Sequence, residues 1–259
     1  MSIESMQRPE FDIGRVFSAT FGAIGRNLVP FGVLALLFAV LPQAALGWAT
    51  GPKGPLVAAG NVWATGLVGF AGALLSLGFS LILQAAIIHG AVDDLNDRKA
   101  SLNACLTTAF RNLGPVLLIT ILMILGIGLG LVLLIVPGIM LAVLWIVAVP
   151  AQVVERRGVF GSFERSRELT RGSRWAIFGL MVLYVILSWI AGLVLLAVGS
   201  TMAGGIAGLA TNTLMQTVIS PLINGASSLI GAVGTAAIYY ELRVAREGIG
   251  PQALASVFD

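Results

Sequence analysis

The sequence predicts an all-α polytopic membrane protein with six transmembrane helices, and two observations support this fold class. Hydrophobic residues make up 58% of the 259 residues and charged residues only 10%, whereas a soluble protein of ordinary composition has about 25% charged residues. The charged residues are also clustered along the chain, so that they cannot cover the surface of a soluble domain of this size. We therefore expect one membrane domain over residues 1–259, with lipid around most of it.

Six apolar runs are long enough to cross a bilayer, because a hydrocarbon core of about 30 Å requires roughly 20 helical residues. Pro137-Gly138 is the only turn signal between the third run and the fourth, and we expect the chain to reverse there. Residues 200–213 are uncharged and rich in glycine, which fits either an interfacial loop or a helix extension. The predicted spans are 28–48, 62–88, 113–136, 138–154, 175–199 and 214–240.

The Lys and Arg residues orient these spans. If six spans alternate in direction, fourteen of the fifteen Lys and Arg residues fall on one side of the membrane and only Lys53 falls on the other. Positively charged residues accumulate on the cytoplasmic side. An even number of spans then places both termini in the cytoplasm. The start MSIESMQRPEFDIGR is long and polar, which favours a retained first span over a cleaved signal peptide.

The predicted spans form three hairpins, each preceded by an amphipathic helix that lies on the cytoplasmic side among the lipid headgroups. Apolar residues recur at helical spacing in 11–28 and in 101–113. Both segments end in matching five-residue motifs, RNLVP and RNLGP, in which proline marks the first turn of a span. We interpret the three units as an internal repeat. Repeat 1 covers 11–89, repeat 2 covers 101–154 and repeat 3 covers 161–246, with tails at 1–10 and 247–259.

The third amphipathic segment is the most charged part of the chain. Its sequence, ERRGVFGSFERSRELTRGSRW from Glu155 to Trp175, contains six arginines and three glutamates. Ser162 is suited to cap a helix that runs to about Arg171, and Gly172 is suited to end that helix.

A family resemblance rests on several residues of segment 136–178, namely Pro137-Gly138, Pro150, Glu155, Ser166, Leu169, Arg171-Gly172 and Trp175. With this pattern and six spans, the chain resembles the polytopic bacterial family named after the membrane domain of glycerophosphoryl diester phosphodiesterases. The resemblance covers most of residues 11–246 and implies a multi-pass protein of the bacterial inner membrane. In that family the phosphodiesterase activity belongs to a separate soluble domain fused to some members, and stand-alone members have no settled biochemical role.

Few residues suit catalysis. His89 is the one histidine, and Asp93 and Asp97 follow it at intervals of four, a spacing that a metal site can use and that a solvated helix end also explains. Nothing in the spacing favours Ser-His-Asp catalysis, and Cys105 lies on an apolar stripe as a small hydrophobic residue. We expect a protein that is not an enzyme, with no catalytic residue, bound metal or cofactor.

Small and polar residues within the spans have packing as their usual role. Glycines at intervals of three or four let helices approach closely. Gln43, Gln84, Gln216 and Asn224 are the polar side chains of note within the spans, a thin set for a transport pathway, since coupled carriers usually need ionisable groups there. The glycines that we assign to helix packing are Gly66, Gly69, Gly72, Gly126 and Gly130.

The sequence favours a non-catalytic integral inner-membrane protein that binds anionic lipid or a partner protein through a basic cytoplasmic face, in a scaffold, membrane-homeostasis or accessory role. The alternative is a transporter or flippase-like carrier of a lipid or another amphiphile, and the remote alternative is a membrane-bound hydrolase of glycerophosphodiesters. A homo-oligomer stays open, and we expect no nucleic-acid partner. The residues assigned to lipid or partner contact are Arg156, Arg157, Arg165, Arg167, Arg171, Arg174, Arg26 and Arg111.

Part of this positive charge is expected to be neutralised internally. Side chains three residues apart on a helix are neighbours on its surface. Glu164 can therefore meet Arg167, and Glu168 can meet Arg165.

Overall fold

Six long apolar helices account for most of the chain in the computed structural model, which describes residues 11–51, 54–205, 208 and 212–248. Within these ranges the secondary structure is helical and no strand occurs. The tail 1–10, most of the tail 247–259, and residues 206–207 and 209–211 of the glycine-rich segment lie outside the described residues. Each apolar helix is long and hydrophobic enough to cross a membrane, which confirms the predicted number of six. Together they are compatible with a membrane helical bundle.

The first helix, α1 (Ile13–Arg26), is amphipathic and separate from the apolar helix that follows it. Asp12 caps α1 by accepting a hydrogen bond of 2.6 Å from the backbone N–H of Gly14. The buried side of α1 carries Val16, Thr20 and Ala23. The helix ends at Asn27, and the chain then turns into the first apolar helix.

The first and last apolar helices each contain a π-helical segment that ends two residues before a proline. The first comprises α2 (Leu28–Ala35), the π segment Leu36–Val40, and α3 (Leu41–Thr50), in which Pro42 is the second residue. The last comprises the π segment Met215–Ile219 and then α11 (Ser220–Glu247), in which Pro221 is the second residue. Because proline lacks an N–H and crowds the preceding turn, a widened turn accommodates it without ending the helix.

The remaining elements follow in chain order, with short connections between most of them. They are α4 (Pro55–Ala58), α5 (Val62–Leu95), α6 (Leu102–Leu133), α7 (Ile135–Trp145), α8 (Ala148–Glu155), α9 (Gly158–Thr170) and α10 (Arg174–Ala203). Because α10 continues to Ala203, the start of the segment 200–213 is a helix extension.

The second predicted amphipathic helix is not a separate element, and this part of the sequence interpretation is wrong. Helix α6 runs without a break through Pro115, so that residues 101–113 and the third apolar run form one helix. Its 32 residues span about 48 Å, which exceeds the hydrocarbon core of a bilayer. Gly114 explains the continuity, because a residue without a Cβ avoids much of the clash that disfavours helical backbone before a proline.

Two predicted boundaries also differ from the structure. The break between α6 and α7 lies at Leu134 and not at Pro137-Gly138, because Pro137 fits into the first turn of α7. Ser162 does not cap α9, because Arg156 takes a left-handed conformation (φ 53°) that ends α8 early and lets α9 begin at Gly158. Gly172, with φ 89°, does follow the end of α9 as predicted.

The buried core lies toward one end of the helices. In α5 the buried residues all fall between Leu81 and Val92, near the C-terminal end of that helix. The buried residues of α8 and most of those of α11 lie at the same end, beside the ion pairs described below. By contrast, every residue of α10 from 182 to 198 is exposed. We call the compact region, with its Arg, Asp and Glu side chains, the charged end.

Candidate functional site

Glu155 is the centre of a polar network at the charged end. Its carboxylate accepts hydrogen bonds of 2.7 Å from the Tyr239 hydroxyl and 2.9 Å from Nε of Arg165. Arg157 forms a further ion pair of 2.6 Å with it. Arg165 also pairs with Glu247, whose other oxygen binds Arg243 at 2.8 Å. The network therefore connects the end of α8 to both α9 and α11.

Arg165 is a structural residue of this network. Its side chain is only 12% exposed. Burial lowers its pKa, but hydrogen bonds to Glu247 and Glu155 outweigh that effect and raise the pKa above its ordinary value. The guanidinium therefore stays charged and engaged with carboxylates of the protein itself, whereas its contact with a lipid or partner stays a prediction.

A second network consists of buried uncharged side chains. Gln152 of α8 donates a hydrogen bond of 3.3 Å to Asn112 of α6, and the Ser162 hydroxyl of α9 donates one of 3.1 Å to Gln152. Ser166, also on α9, donates to the backbone carbonyl of Leu144 at 2.7 Å. Because buried polar groups are costly when unpaired, these bonds fix α9 against α6, α7 and α8.

Two further ion pairs hold α1 in place. Arg15 binds Glu241 of α11 at 2.6 Å, and Arg26 binds Asp94 of α5 at 2.6 Å. Asn27 donates a hydrogen bond of 2.7 Å to the same aspartate. Arg26 thus faces a carboxylate, although its side chain is 59% exposed on its other side.

The other predicted contact arginines have different environments. Arg157 is half-exposed and paired with Glu155. Of the expected helical pairs, Glu168 with Arg165 is confirmed at 3.8 Å, whereas no ion pair joins Glu164 to Arg167. Among the described residues, the following arginines are exposed and form no ion pair: Arg111, Arg156, Arg167 and Arg171.

A cleft of about 430 Å³ lies between the end of α9 and the start of α10, lined by Glu164, Arg167, Glu168, Arg171 and Arg174. Nε of Arg174 is buried and has no hydrogen-bond partner within the described parts of the chain. Trp175, the next residue, is 86% exposed. The cleft thus places three arginines beside an exposed aromatic side chain at the first turn of a long apolar helix.

The glycines assigned to packing fall into two groups. A Cβ added to Gly126 would lie 2.5 Å from the Trp145 ring, and one added to Gly130 would lie 2.8 Å from Cα of Gly138. Gly72 is similarly close to Leu46, whereas Gly66 and Gly69 face open space. Close helix contacts therefore occur at Gly72, Gly126 and Gly130.

The residues considered for metal binding do not form a cluster. His89 lies 3.4 Å from Asp93 on the same side of α5, while Asp97 follows the helix with a positive φ of 58°. Among the residues that the structure describes, no group of three His, Cys, Asp or Glu side chains is placed to hold a metal ion.

The sequence interpretation missed the residues that organise the charged end, above all Tyr239, Glu241, Asn112 and Gln152. One signal could have indicated a structural role for Asn112, since asparagine recurs in the matching motifs RNLVP and RNLGP. Asn27 and Asn112 are both buried, and both donate to the backbone carbonyl four residues earlier. No signal in the sequence pairs Tyr239 with Glu155 over 84 residues.

Comparisons with known proteins add nothing to this geometry. No protein-family model matches the chain, and no curated protein or solved structure matches it either.

Proposed function

We propose that the chain is a non-catalytic protein of the bacterial inner membrane that binds the headgroup of an anionic phospholipid in the cleft between α9 and α10. The observation that carries this proposal is the buried, unpartnered Nε of Arg174. A buried N–H donor without a partner is costly, and a small movement of the Arg174 side chain toward an anion in the cleft would pair it.

The proposal includes the orientation of the chain. The six apolar helices cross the membrane as three hairpins, the charged end lies on the cytoplasmic side, and both termini are cytoplasmic. The clustering of Arg, Asp and Glu near one end of the bundle supports this orientation, because positively charged residues accumulate on the cytoplasmic side. The family resemblance at residues 136–178 agrees with this placement.

A lipid phosphate suits the cleft better than a free anion does. Arginine presents several N–H donors in a plane that matches phosphate oxygens. The exposed Trp175 beside the cleft is typical of the membrane interface, where tryptophan rings lie at headgroup depth. The continuous exposed apolar surface of α10 begins at residue 182, a little more than two turns after Arg174, so that acyl chains have an adjacent surface.

A non-catalytic role fits the pairing of the carboxylates. Glu155, Glu241, Asp94 and Glu247 each bind an arginine that holds helices together. A general acid or base needs a carboxylate that is free to exchange its proton with a substrate. These four carboxylates instead serve as structural anchors.

Native mass spectrometry with phosphatidylglycerol or cardiolipin tests the proposal. We expect the wild type to retain anionic lipid and the triple variant Arg167→Gln, Arg171→Gln, Arg174→Gln to lose most of it. Arg98→Gln is the matched control, because Arg98 is an exposed arginine outside the cleft. Equal lipid retention in the wild type and the triple variant would rule out the cleft as the site, and copurification of a protein in place of lipid would favour a partner protein.

A further inference from the structure

One side of α11 has a composition that is unusual for a helix facing hydrocarbon. Ser220, Asn224, Ser227, Gly231 and Thr235 follow one another at intervals of three or four, so that they lie on one face. Ser220, Asn224 and Ser227 are exposed, and Gly231 and Thr235 are partly exposed. We call these five residues the polar face. The exposed residues of α10, by comparison, are mostly large and apolar.

The hydroxyl groups of the polar face are poorly satisfied by the protein. Thr235 bonds to the carbonyl of Ala232 at 3.0 Å, as Ser and Thr often do in membrane helices. Ser220, Ser227 and the neighbouring Ser228 have no hydrogen-bond partner within the described ranges. An unpaired hydroxyl is unfavourable in hydrocarbon. The surroundings of this face are therefore expected to supply polar partners.

Helix α10 stands in front of the polar face but does not cover it. A Cβ added to Gly231 would lie 3.6 Å from the Tyr184 hydroxyl, so that this tyrosine faces the middle of the polar face. The buried residues Ile177 and Leu180 attach α10 near its first turns, whereas residues 182–198 are exposed throughout. Beyond Tyr184, away from the charged end, the polar face and the neighbouring part of α10 are therefore both exposed.

The first two predicted hairpins have a polar contact that the third lacks. Asn27, at the start of the first apolar helix, binds Asp94 near the end of the second. Asn112 of the third apolar helix binds Gln152 near the end of the fourth. Each contact connects the two helices of a hairpin at the charged end.

Ser173 occupies the corresponding position before the fifth apolar helix. The residues four and seven positions after Asn27, Asn112 and Ser173 are buried in all three cases, which aligns the three segments. Ser173 has no side-chain hydrogen bond within the described residues. No equivalent polar contact therefore connects the start of α10 to the end of α11, and these two helices are the pair best able to separate.

We propose that α10 and the polar face bound a hydrated lateral groove in which headgroups of anionic phospholipids cross the membrane while their acyl chains stay in the lipid. The proposal rests on the function proposed above, because it takes the Arg174 cleft, at the start of α10, as the cytoplasmic mouth of this groove. Beyond the cleft, no carboxylate or amine occurs in the polar face or in residues 182–198 of α10, which suits energy-independent exchange of lipid between leaflets, since coupled transport usually uses ionisable groups.

Cysteine accessibility tests whether the groove holds water. The native Cys105 is buried, so that Cys105→Ala gives a background with no other thiol. In proteoliposomes, a membrane-impermeant methanethiosulfonate reagent should modify Ser227→Cys at least about tenfold faster than Ser80→Cys, because a thiolate forms in water and not in hydrocarbon. Ser80 is an exposed serine on α5, away from α10. Equal modification rates at the two positions would overturn the proposal that the groove holds water.

Lipid exchange is measured in proteoliposomes that contain fluorescent phosphatidylglycerol, with dithionite added outside. We expect the wild type to expose inner-leaflet lipid to the reductant, and Ser227→Leu and Ser220→Leu to slow that exchange at least about tenfold, by removing polar partners that hydrocarbon cannot replace. Ser80→Leu should exchange lipid at the wild-type rate. Exchange that is equally fast in all four proteins would overturn the proposal.

Native mass spectrometry on the same samples separates the two proposals. If the wild type retains phosphatidylglycerol but exchanges none, the groove proposal fails and the headgroup site stands. If neither retention nor exchange occurs, both fail. Retention by Ser227→Leu together with slowed exchange supports both, since the cleft is then intact and the path beyond it is blocked.

Discussion

The hydroxyl of Tyr239 donates a hydrogen bond of 2.7 Å to Glu155 and so joins the last helix to the end of α8. Tyr239 is among the largest fully buried side chains, and Glu155 also binds Arg157 and Arg165. Removing the carboxylate therefore takes an acceptor from both the Tyr239 hydroxyl and the largely buried Arg165, whereas removing the hydroxyl takes one of three partners from Glu155.

Tyr239→Phe should lower the free energy of unfolding by about 1.5–3 kcal/mol, because a buried hydrogen bond to a charged group is lost. Thermal unfolding in detergent, followed by intrinsic fluorescence, measures the change. Tyr240→Phe is the control, since Tyr240 forms no hydrogen bond with Glu155. A Tyr239→Phe protein as stable as the wild type would show that this bond does not stabilise the fold.

Glu155→Gln should lower the free energy of unfolding more than Tyr239→Phe does, by about 3 kcal/mol or more, because Arg165 loses a carboxylate while it stays largely buried. The double variant Glu155→Gln, Arg165→Gln should recover part of the loss, since no largely buried guanidinium is then left unmatched; Arg157 also loses Glu155 but is half-exposed. Thermal unfolding of both variants under the same conditions gives the comparison. No recovery in the double variant would contradict the ion pair as the cause.

Asn112→Ala should destabilise the protein by about 1–3 kcal/mol, because it leaves Gln152 with an unpaired amide in a buried position. The double variant Asn112→Ala, Gln152→Leu should have a free energy of unfolding closer to that of the wild type than the single variant Asn112→Ala has. If the double variant is instead less stable than the sum of the two single changes, Gln152 has partners that matter more than Asn112.

Gly126 of α6 and Gly66 of α5 form a matched pair of positions that tests the packing of α6 against α7. Gly126→Ala should cost about 1–3 kcal/mol, because its Cβ would overlap the Trp145 ring. Gly66→Ala should be neutral or stabilising by up to about 1 kcal/mol, since the position is open and alanine favours a helix. Equal stability of the two variants would mean that Trp145 can move aside without cost.

Labelling in intact bacterial cells tests the orientation. In the Cys105→Ala background, Ala59→Cys should react with a membrane-impermeant maleimide, whereas Lys99→Cys should react only after the cells are opened. Both residues are exposed and lie in connections at opposite ends of α5. The reverse result would place the charged end outside the cytoplasm.

Composition and hydropathy predicted the six apolar helices, because length and apolar content alone determine whether a helix can cross a bilayer. The stop at Gly172 was also predictable, since a glycine tolerates the positive φ that follows a helix. The continuity of α6 could not be predicted, because it depends on how Gly114 and Pro115 share one turn. The π segments before Pro42 and Pro221 could not be predicted either, since a proline in an apolar run permits a kink, a break or a widened turn.

The sequence predicted which arginines lie at the candidate site, but it did not predict what each of them does. Sequence alone assigned one function to the arginines of the segment 155–175, because all of them share a charge and a location. In the structure Arg165 holds helices together, whereas Arg174 has a buried nitrogen without a partner. The difference arises from the positions of Glu155 and Glu247, which only the folded chain brings next to Arg165.

The confinement of the buried core to the charged end has a mechanical consequence. Hydrogen bonds and ion pairs make that half stiff, while the exposed remainder of α10 and the first half of α5 have few internal contacts to resist bending. A change in bilayer thickness or lateral pressure would therefore first deform the half that lies away from the charged end. The protein would adapt to its membrane by bending in that half, while the geometry of the charged end is preserved.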